Sequence, residues 1–92
     1  MKPLIVTCSK DKTVKIWNYE LNTLENSKKF DEEANCVTFH PSGFHIAVAF
    51  TSRIRMINVL LDGMQPYRDI NDKNCTALKY SQGGSYLAVA KN

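Results

Sequence analysis

The chain has 92 residues, which leaves room for one small domain at most. Its hydrophobic fraction of 43% is that of a folding protein, so disorder is not the default. The net charge of +3, from 12 basic and 9 acidic residues, is too mild to imply nucleic acid by itself but permits contact with an acidic protein surface.

Short apolar strands separated by turn signals run along the whole chain. Residues 4–9 (LIVTCS) form a β-branched run that Lys10-Asp11-Lys12 closes as a turn. Residues 13–18 (TVKIWN) alternate, with Val14 and Ile16 on one face and Thr13, Lys15 and Trp17 on the other. After a loop at 19–22, residues 23–30 read as a polar strand whose only large apolar residues are Leu24 and Phe30, which places it at a sheet edge. Asp31-Glu32-Glu33 breaks the pattern. The order then recurs. Residues 36–39 form a strand, His40-Pro41-Ser42-Gly43 a turn, and 45–50 (HIAVAF) an apolar strand. Residues 53–59 (RIRMINV) alternate, with Ile54 and Met56 to one side. Residues 64–70 form a polar strand, and Pro66 within it suits an edge because it has no N–H to give a ladder. A third round begins with 75–81, the turn Gln82-Gly83-Gly84-Ser85, and 86–90 (YLAVA).

Internal repetition decides between architectures. HPSGFHIAVA (40–49) lies over SQGGSYLAVA (81–90) at a spacing of 41, and Ile5 and Ile46 are also 41 apart. Trp17-Asn18 and Ile57-Asn58 are 40 apart, so the second turn lacks one residue. A period of about 40–45 with four strands per unit is the WD40 signature. A β-sandwich with central strands explains the alternation but not the period. The runs LIVTC, IAVAF and YLAVA are apolar on both faces, as expected of strands covered twice by stacked blades rather than wetted on one side. The fold expected is all-β: a fragment of about two blades of a WD40 β-propeller. Residues 1–30 read as the last three strands of one blade, 31–71 as a complete but degenerate blade, and 72–92 as the start of a third.

Asp11 and Trp17 carry the local motif. LIVTCSKDKTVKIWN follows the WD-repeat pattern LxSxSxDxTVxIWD, with Asn18 where Asp is usual. The resemblance implies structural roles. The turn aspartate accepts backbone N–H bonds. The strand tryptophan packs between blades and offers its N–H to a hydroxyl, for which Ser9 and Thr7 both sit at a suitable distance along the chain. The second unit departs from the pattern: Ile57 replaces Trp, and Thr51-Ser52 lacks the aspartate. That blade is expected to depend on packing.

Other chemistry-bearing residues have plain readings. His40 opens a turn and His45 a strand, and the two histidines and three cysteines lack the paired spacing of a metal site, so no metal or cofactor is expected. Cys8, Cys36 and Cys75 are odd in number and far apart, which argues against a disulfide framework and for a reducing compartment; Cys36 and Cys75 are read as beginning equivalent strands, 39 apart. Gly83-Gly84 precedes no helix pattern and is a hairpin turn, not a phosphate loop. No apolar run approaches the roughly 18–20 residues of a membrane span. The apolar run 4–8 is shorter than a signal core, and charges follow it at once. Lys10, Lys12 and Lys15 form one basic cluster, and Arg53 and Arg55 fall near the equivalent place in the next unit. Together they are a candidate face for an acidic partner. No set of residues suggests catalysis.

The chain also resembles a narrower family, the cilia- and flagella-associated protein 57 family of WD-repeat proteins. The stretches that carry this are KPLIVTCSKDKTVKIWNYELNTLE, the EEA before Cys36, HPSGFHIAVAF, RIRMINVLLDGMQPY, and Cys75 with SQGGSYLAVA. Ile57 in place of Trp, with the following LLD, is not a generic WD feature. The resemblance implies tandem propellers followed by coiled coil. It implies a place in the cytoplasm and cytoskeleton, on the axoneme of motile cilia. It further implies an adaptor role, helping to fix inner dynein arms and regulatory complexes on doublet microtubules, with axonemal proteins, dynein-arm components or tubulin as partners and neither nucleic acid nor membrane. The remaining blades are expected from the same or a neighbouring chain. The alternative reading is a general WD scaffold outside cilia, such as a ubiquitin-ligase receptor or an RNA-processing adaptor.

Overall fold

The computed structural model describes residues 3–60, 63–71, 73 and 75–91. Leu61 and Asp62, part of the LLD stretch, lie outside them. The described residues form nine strands and no helix: β1 (Leu4–Cys8), β2 (Thr13–Asn18), β3 (Thr23–Lys29), β4 (Ala34–Phe39), β5 (His45–Phe50), β6 (Ile54–Leu60), β7 (Gly63–Ile70), β8 (Cys75–Tyr80) and β9 (Leu87–Lys91). They pair antiparallel into three sheets in chain order, β1-β2-β3, β4-β5-β6-β7 and β8-β9. This is the partial-blade, full-blade, partial-blade architecture of a propeller fragment.

The repeat extends to irregularities in the ladders. Ala34 pairs with Phe50 and Cys36 with Ala49, skipping Asn35. Cys75 pairs with Lys91 and Ala77 with Ala90, skipping Thr76 in the same way. Each bulge inserts one unpaired residue that twists the strand. The match corrects one expectation from the sequence. Cys75 is the counterpart of Ala34, not of Cys36, because β4 begins two residues before Cys36. A second bulge recurs between the third and fourth strands of a unit, at Ile16/Trp17 in one sheet and Met56/Ile57 in the next.

Two cores lie between the three sheets. Val14, Ile16, Phe30, Ala34, Ile46, Val48, Phe50, Ile57 and Met64 fill the first, between the β1–β3 and β4–β7 sheets. Phe30 and Phe50 meet there with ring centroids 5.4 Å apart. Ala49, Ile54 and Cys75 form the second, against the β8-β9 sheet, with Cys36, Met56, Ile70, Leu78 and Val89 packed on it. Each fully buried Ile, Val or Phe contributes about 1.5–3 kcal/mol. β5 gives Ile46, Val48 and Phe50 to the first core and Ala49 to the second, while β6 gives Ile57 and Val59 to the first and Ile54 and Met56 to the second, so both faces of this hairpin are packed.

Double coverage is confined to the middle sheet. β5 is buried along both faces, from Ile46 to Phe50. β1 is covered on one face only. Leu4, Val6 and Cys8 pack inward, whereas Ile5 is 46% exposed and Thr7 is exposed beside it. In β9, Leu87 and Val89 are half-buried while Ala88 and Ala90 are exposed. Of the three apolar runs expected to be covered twice, β5 is so covered within this chain, and β1 and β9 lie in its outer sheets. The physical reason is position: only the β4–β7 sheet has a sheet on each side.

Side chains also bridge the sheets at their outer edges. The Asn26 amide donates to the Leu60 carbonyl at 3.1 Å and the Gly63 carbonyl at 2.8 Å. Lys28 Nζ donates to the Met64 carbonyl at 3.1 Å. β3 lies at the edge of its sheet as read from the sequence, and its side chains hold the ends of β6 and β7 in the next sheet. The connectivity gives the stack two distinct ends. One end carries the turns at 9–12 and 51–53 and the connector 30–33; the other carries the turns at 19–22, 40–44 and 81–86.

Candidate functional site

The turn between β1 and β2 is built around one carboxylate. The Ser9 N–H donates to the Thr13 carbonyl at 3.1 Å and the Lys12 N–H to the Ser9 carbonyl at 3.2 Å, which closes the chain tightly. Lys12 has φ +71, a left-handed conformation that costs a residue with a Cβ about 1–2 kcal/mol. Asp11 supports the turn: its Oδ1 accepts the Thr13 backbone N–H at 3.2 Å, the Thr13 hydroxyl at 2.5 Å, and the Ser9 hydroxyl. Bonds from the Ser9 and Thr13 hydroxyls hold the Asp11 carboxyl down at about 2, and Lys15 adds a smaller push the same way.

Ser9, Asp11 and Thr13 therefore act as one group, and Trp17 is separate from it. The indole N–H of Trp17 donates to Thr7 Oγ1 at 3.1 Å across the β1–β2 pair. Of the two hydroxyls open to it by spacing, Thr7 takes the indole and Ser9 the carboxylate. Asn18 stands at the far end of β2, where its Oδ1 accepts the N–H groups of Glu20 and Leu21, both at 3.1 Å. This caps the next turn in the way short polar side chains do. In the second unit Ile57 is fully buried at the position matching Trp17, opposite Ile46.

The five basic residues differ in whether an acidic partner stands beside them. Lys10 and Lys12 are exposed on the Asp11 turn and Lys15 is half-buried beside it. Arg53 lies 3.8 Å from Asp31 and 3.6 Å from Glu32, and Arg55 Nε donates to Asp69 at 2.9 Å. Those two arginines are internally matched. The sequence reading overlooked the acidic side of these pairs, although the Asp31-Glu32-Glu33 run was visible. It also overlooked Lys29, which pairs with Thr13 and is exposed beside the Lys10–Lys12 turn. None of Lys10, Lys12, Lys15 and Lys29 has an ion-pair partner within 4.0 Å among the described residues. Four lysines without a close ion-pair partner thus gather around the one carboxylate of Asp11 at one end of the first sheet.

Two further clusters lie between the second and third sheets. His40 meets Tyr80 edge-on at 4.8 Å and His45 at 5.5 Å, and His45 Nδ1 lies 2.8 Å from Asn58 Oδ1. The Tyr80 hydroxyl is buried without a hydrogen-bond partner, and burial followed by Tyr67 pushes it up to about 12. At the other end of that interface Cys36 is pushed up to about 11 by burial and then by Cys75. Burial also raises Cys8. Such thiols are poor nucleophiles at neutral pH. Among the described residues no three His, Cys, Asp or Glu side chains converge in the way a metal centre needs.

Residues 2–18 match the family model described as "WD domain, G-beta repeat". That segment holds the Asp11 turn and Trp17, inside three sheets whose ladders repeat. The chain carries a WD40 repeat and folds as part of a WD40 β-propeller. Over 96% of its length this WD40 chain is 52% identical to cilia- and flagella-associated protein 57 A of Tetrahymena thermophila and 46% identical to cilia- and flagella-associated protein 57 of Mus musculus. It spans 7% of the length of each. Over 99% of its length it is 29% identical to human echinoderm microtubule-associated protein-like 4, covering 9% of that protein. Solved structures agree on the fold. The β-propeller domain of Cps50 (Swd1) superposes with a TM-score of 0.80 at 13% identity, covering 95% of this WD40 chain and 31% of that one. The C-terminal WD40 domain of Sif2 does so with a TM-score of 0.72 at 20% identity, covering 96% and 28%.

Proposed function

We propose that this WD40 segment is part of a ciliary scaffold, an adaptor that helps hold inner dynein arms or regulatory complexes on the doublet microtubules of the axoneme. The observation that carries the proposal is identity of 46–52% to two cilia- and flagella-associated proteins along almost the whole chain. The chemistry of the surface supports binding rather than catalysis. Lys10, Lys12 and Lys29 lie exposed around a turn whose single carboxylate, Asp11, cannot balance all three, which leaves net positive charge to meet an acidic protein surface. Arg53 and Arg55 serve the fold through Asp31, Glu32 and Asp69.

The test is to tag the intact protein in a ciliated cell. It is expected along the axoneme. The triple variant Lys10→Glu, Lys12→Glu, Lys29→Glu is expected to leave axonemes at lower salt than the wild type, because exposed charge pairs are screened over roughly 8–10 Å at physiological ionic strength. Protein found only outside cilia would overturn the ciliary reading. Unchanged extraction of the triple variant would remove the basic turn from it. A second reading, a microtubule-bound WD scaffold outside cilia, draws on the 29% identity to the echinoderm microtubule-associated protein-like relative. The same tagging experiment separates the two.

A further inference from the structure

The edge strands β3 and β7 occupy equivalent places in successive sheets. Ile16 pairs with Asn26 and Trp17 with Leu24, so β3 skips Glu25. Met56 pairs with Arg68 and Ile57 with Pro66, so β7 skips Tyr67. Two residues further on, Val14 pairs with Lys28 and Ile54 with Ile70. Arg68 is therefore the counterpart of Asn26, in the same position beside the same bulge.

Asn26 has a defined task. Directly opposed residues share a face of a sheet, and its neighbour Ile16 lies in the first core. From that face the Asn26 amide nitrogen donates to the carbonyls of Leu60 and Gly63, the last pair of the β6–β7 ladder in the next sheet. Arg68 faces the following interface in the same way, because its neighbour Met56 packs on the second core. There it is exposed, and it has no ion-pair partner within 4.0 Å among the described residues. Asp69 next to it does not neutralise it. Alternation along the strand sends Asp69 to the opposite face, where it accepts from Arg55 Nε at 2.9 Å.

The third sheet repeats the second as far as it is described. β8 and β9 reproduce β4 and β5, including the bulge near the start of the ladder and the bonds of the turn between the strands. β8 lies against β4 and β5, as the first strand of a unit. A full unit has four strands, as the β4–β7 sheet shows, and this chain covers only 28–31% of the two solved propellers described above. What Leu60 and Gly63 are to Asn26, the hairpin between the third and fourth strands of the third sheet is to Arg68, one repeat of 41 residues further on. We infer that Arg68 is a latch onto that hairpin, its guanidinium donating to two main-chain carbonyls of the following blade. A planar guanidinium offers paired N–H groups, and a charged donor makes a stronger bond than the neutral amide of Asn26. The second unit, which lacks the Asp11 and Trp17 chemistry, thereby keeps a polar link to its neighbour. The inference rests on the repeat geometry and not on the ciliary reading or the basic turn.

Hydrogen–deuterium exchange of the intact protein, with the repeats that follow, tests it. Arg68→Ala is expected to speed exchange about tenfold in the outer hairpin one repeat beyond β6–β7 and to leave the other blades unchanged. Arg68→Gln keeps N–H donors without the charge and should stay within about threefold of the wild type there. Asn26→Ala is the reference, with a matching local rise at the start of β7. An unchanged downstream hairpin in Arg68→Ala would overturn the inference, the side chain then being solvated or held by an outside partner. An equal rise in Arg68→Gln would overturn it too, since the acceptor would then be an acidic group that needs the charge. So would a rise spread evenly over all blades, which reports a loss of overall stability and not of one latch.

Discussion

His40 Nε2 and the carbonyl oxygen of Gly84 lie 3.1 Å apart, across the gap between two successive sheets. The turns they join are copies. His40 N–H bonds the His45 carbonyl and Gly43 N–H the His40 carbonyl; Ser81 and Gly84 repeat both bonds with Tyr86 and Ser81, all four at 2.9 Å. His40 accepts the Ser42 N–H at Nδ1, so its Nε2 is the donor to Gly84. The fit is close: a Cβ on Gly84 would lie 2.6 Å from His40 Cε1, whereas a Cβ on Gly43 would meet nothing within 4 Å.

Gly84→Ala is therefore expected to cost more than Gly43→Ala. Both glycines have positive φ, +76 and +80, so both substitutions carry about 1–2 kcal/mol of backbone cost. Gly84→Ala must also displace His40 and lose its bond, about 1 kcal/mol more. Urea unfolding of the intact protein measures the difference. In a His40→Ala background the two alanine variants should become equivalent, and a persisting gap would show that His40 is not the obstacle.

Asp11 predicts a pH dependence with a definite sign. Its folded value of about 2 lies below the ordinary 3.8, because the charged form accepts bonds from Ser9 and Thr13. A depressed carboxylate contributes stability that is fully present above the unfolded value and is lost as pH falls through the folded one. The contribution should fade between about pH 4 and pH 2. A carbon-detected NMR titration of the carboxyl gives the value directly. Asp11→Asn should flatten the melting temperature across that window, and a midpoint near 4 would show that the turn does not hold the carboxylate as described.

Much of this was legible in the sequence because the signals are local. All nine strands could be placed to within two residues, since turn and breaker residues such as Asp, Asn, Gly, Pro and Ser separate the apolar, alternating and polar runs. The Asp11 turn and Trp17 could be read because their partners lie within ten residues of them. What escaped depends on pairs distant in sequence. Asp31 and Glu32 reach Arg53, Asn26 reaches Leu60, and His40 reaches Gly84. A period fixes which strands are equivalent, but not which side chains of successive units meet. The bulges hid a further detail: with Asn35 and Thr76 skipped, β4 begins at Ala34, two residues ahead of Cys36, whereas β8 begins at Cys75 itself.

The positions of Trp17 and Ile57 predict opposite responses. Trp17 lies on a face that no described residue fully covers, and its polar bond to Thr7 is a measurable pair. Trp17→Phe and Thr7→Val should each cost about 1 kcal/mol beyond any packing change, with a double-mutant coupling of similar size. Ile57 sits at 0% exposure within the first core. Restoring the motif there by Ile57→Trp should destabilise by about 1–3 kcal/mol, because the added ring has no space. Thermal unfolding that shows Ile57→Trp to be stabilising would mean the second unit tolerates the consensus residue after all.

The 92 residues alone should be poorly folded. A compact monomer of 10.4 kDa is expected to expose about 5,400 Å². This chain exposes 5972 Å², with Ile5 and the Trp17 face open on one side and the two-stranded β8-β9 sheet on the other. Repeat units are stabilised mainly through their neighbours, and open strand edges invite association. Expressed in isolation, the chain should give a broad thermal transition and concentration-dependent light scattering, and both should sharpen when the flanking repeats are included. A single cooperative transition of a monomer, independent of concentration, would instead show that the two cores around the β4–β7 sheet hold these strands without further blades.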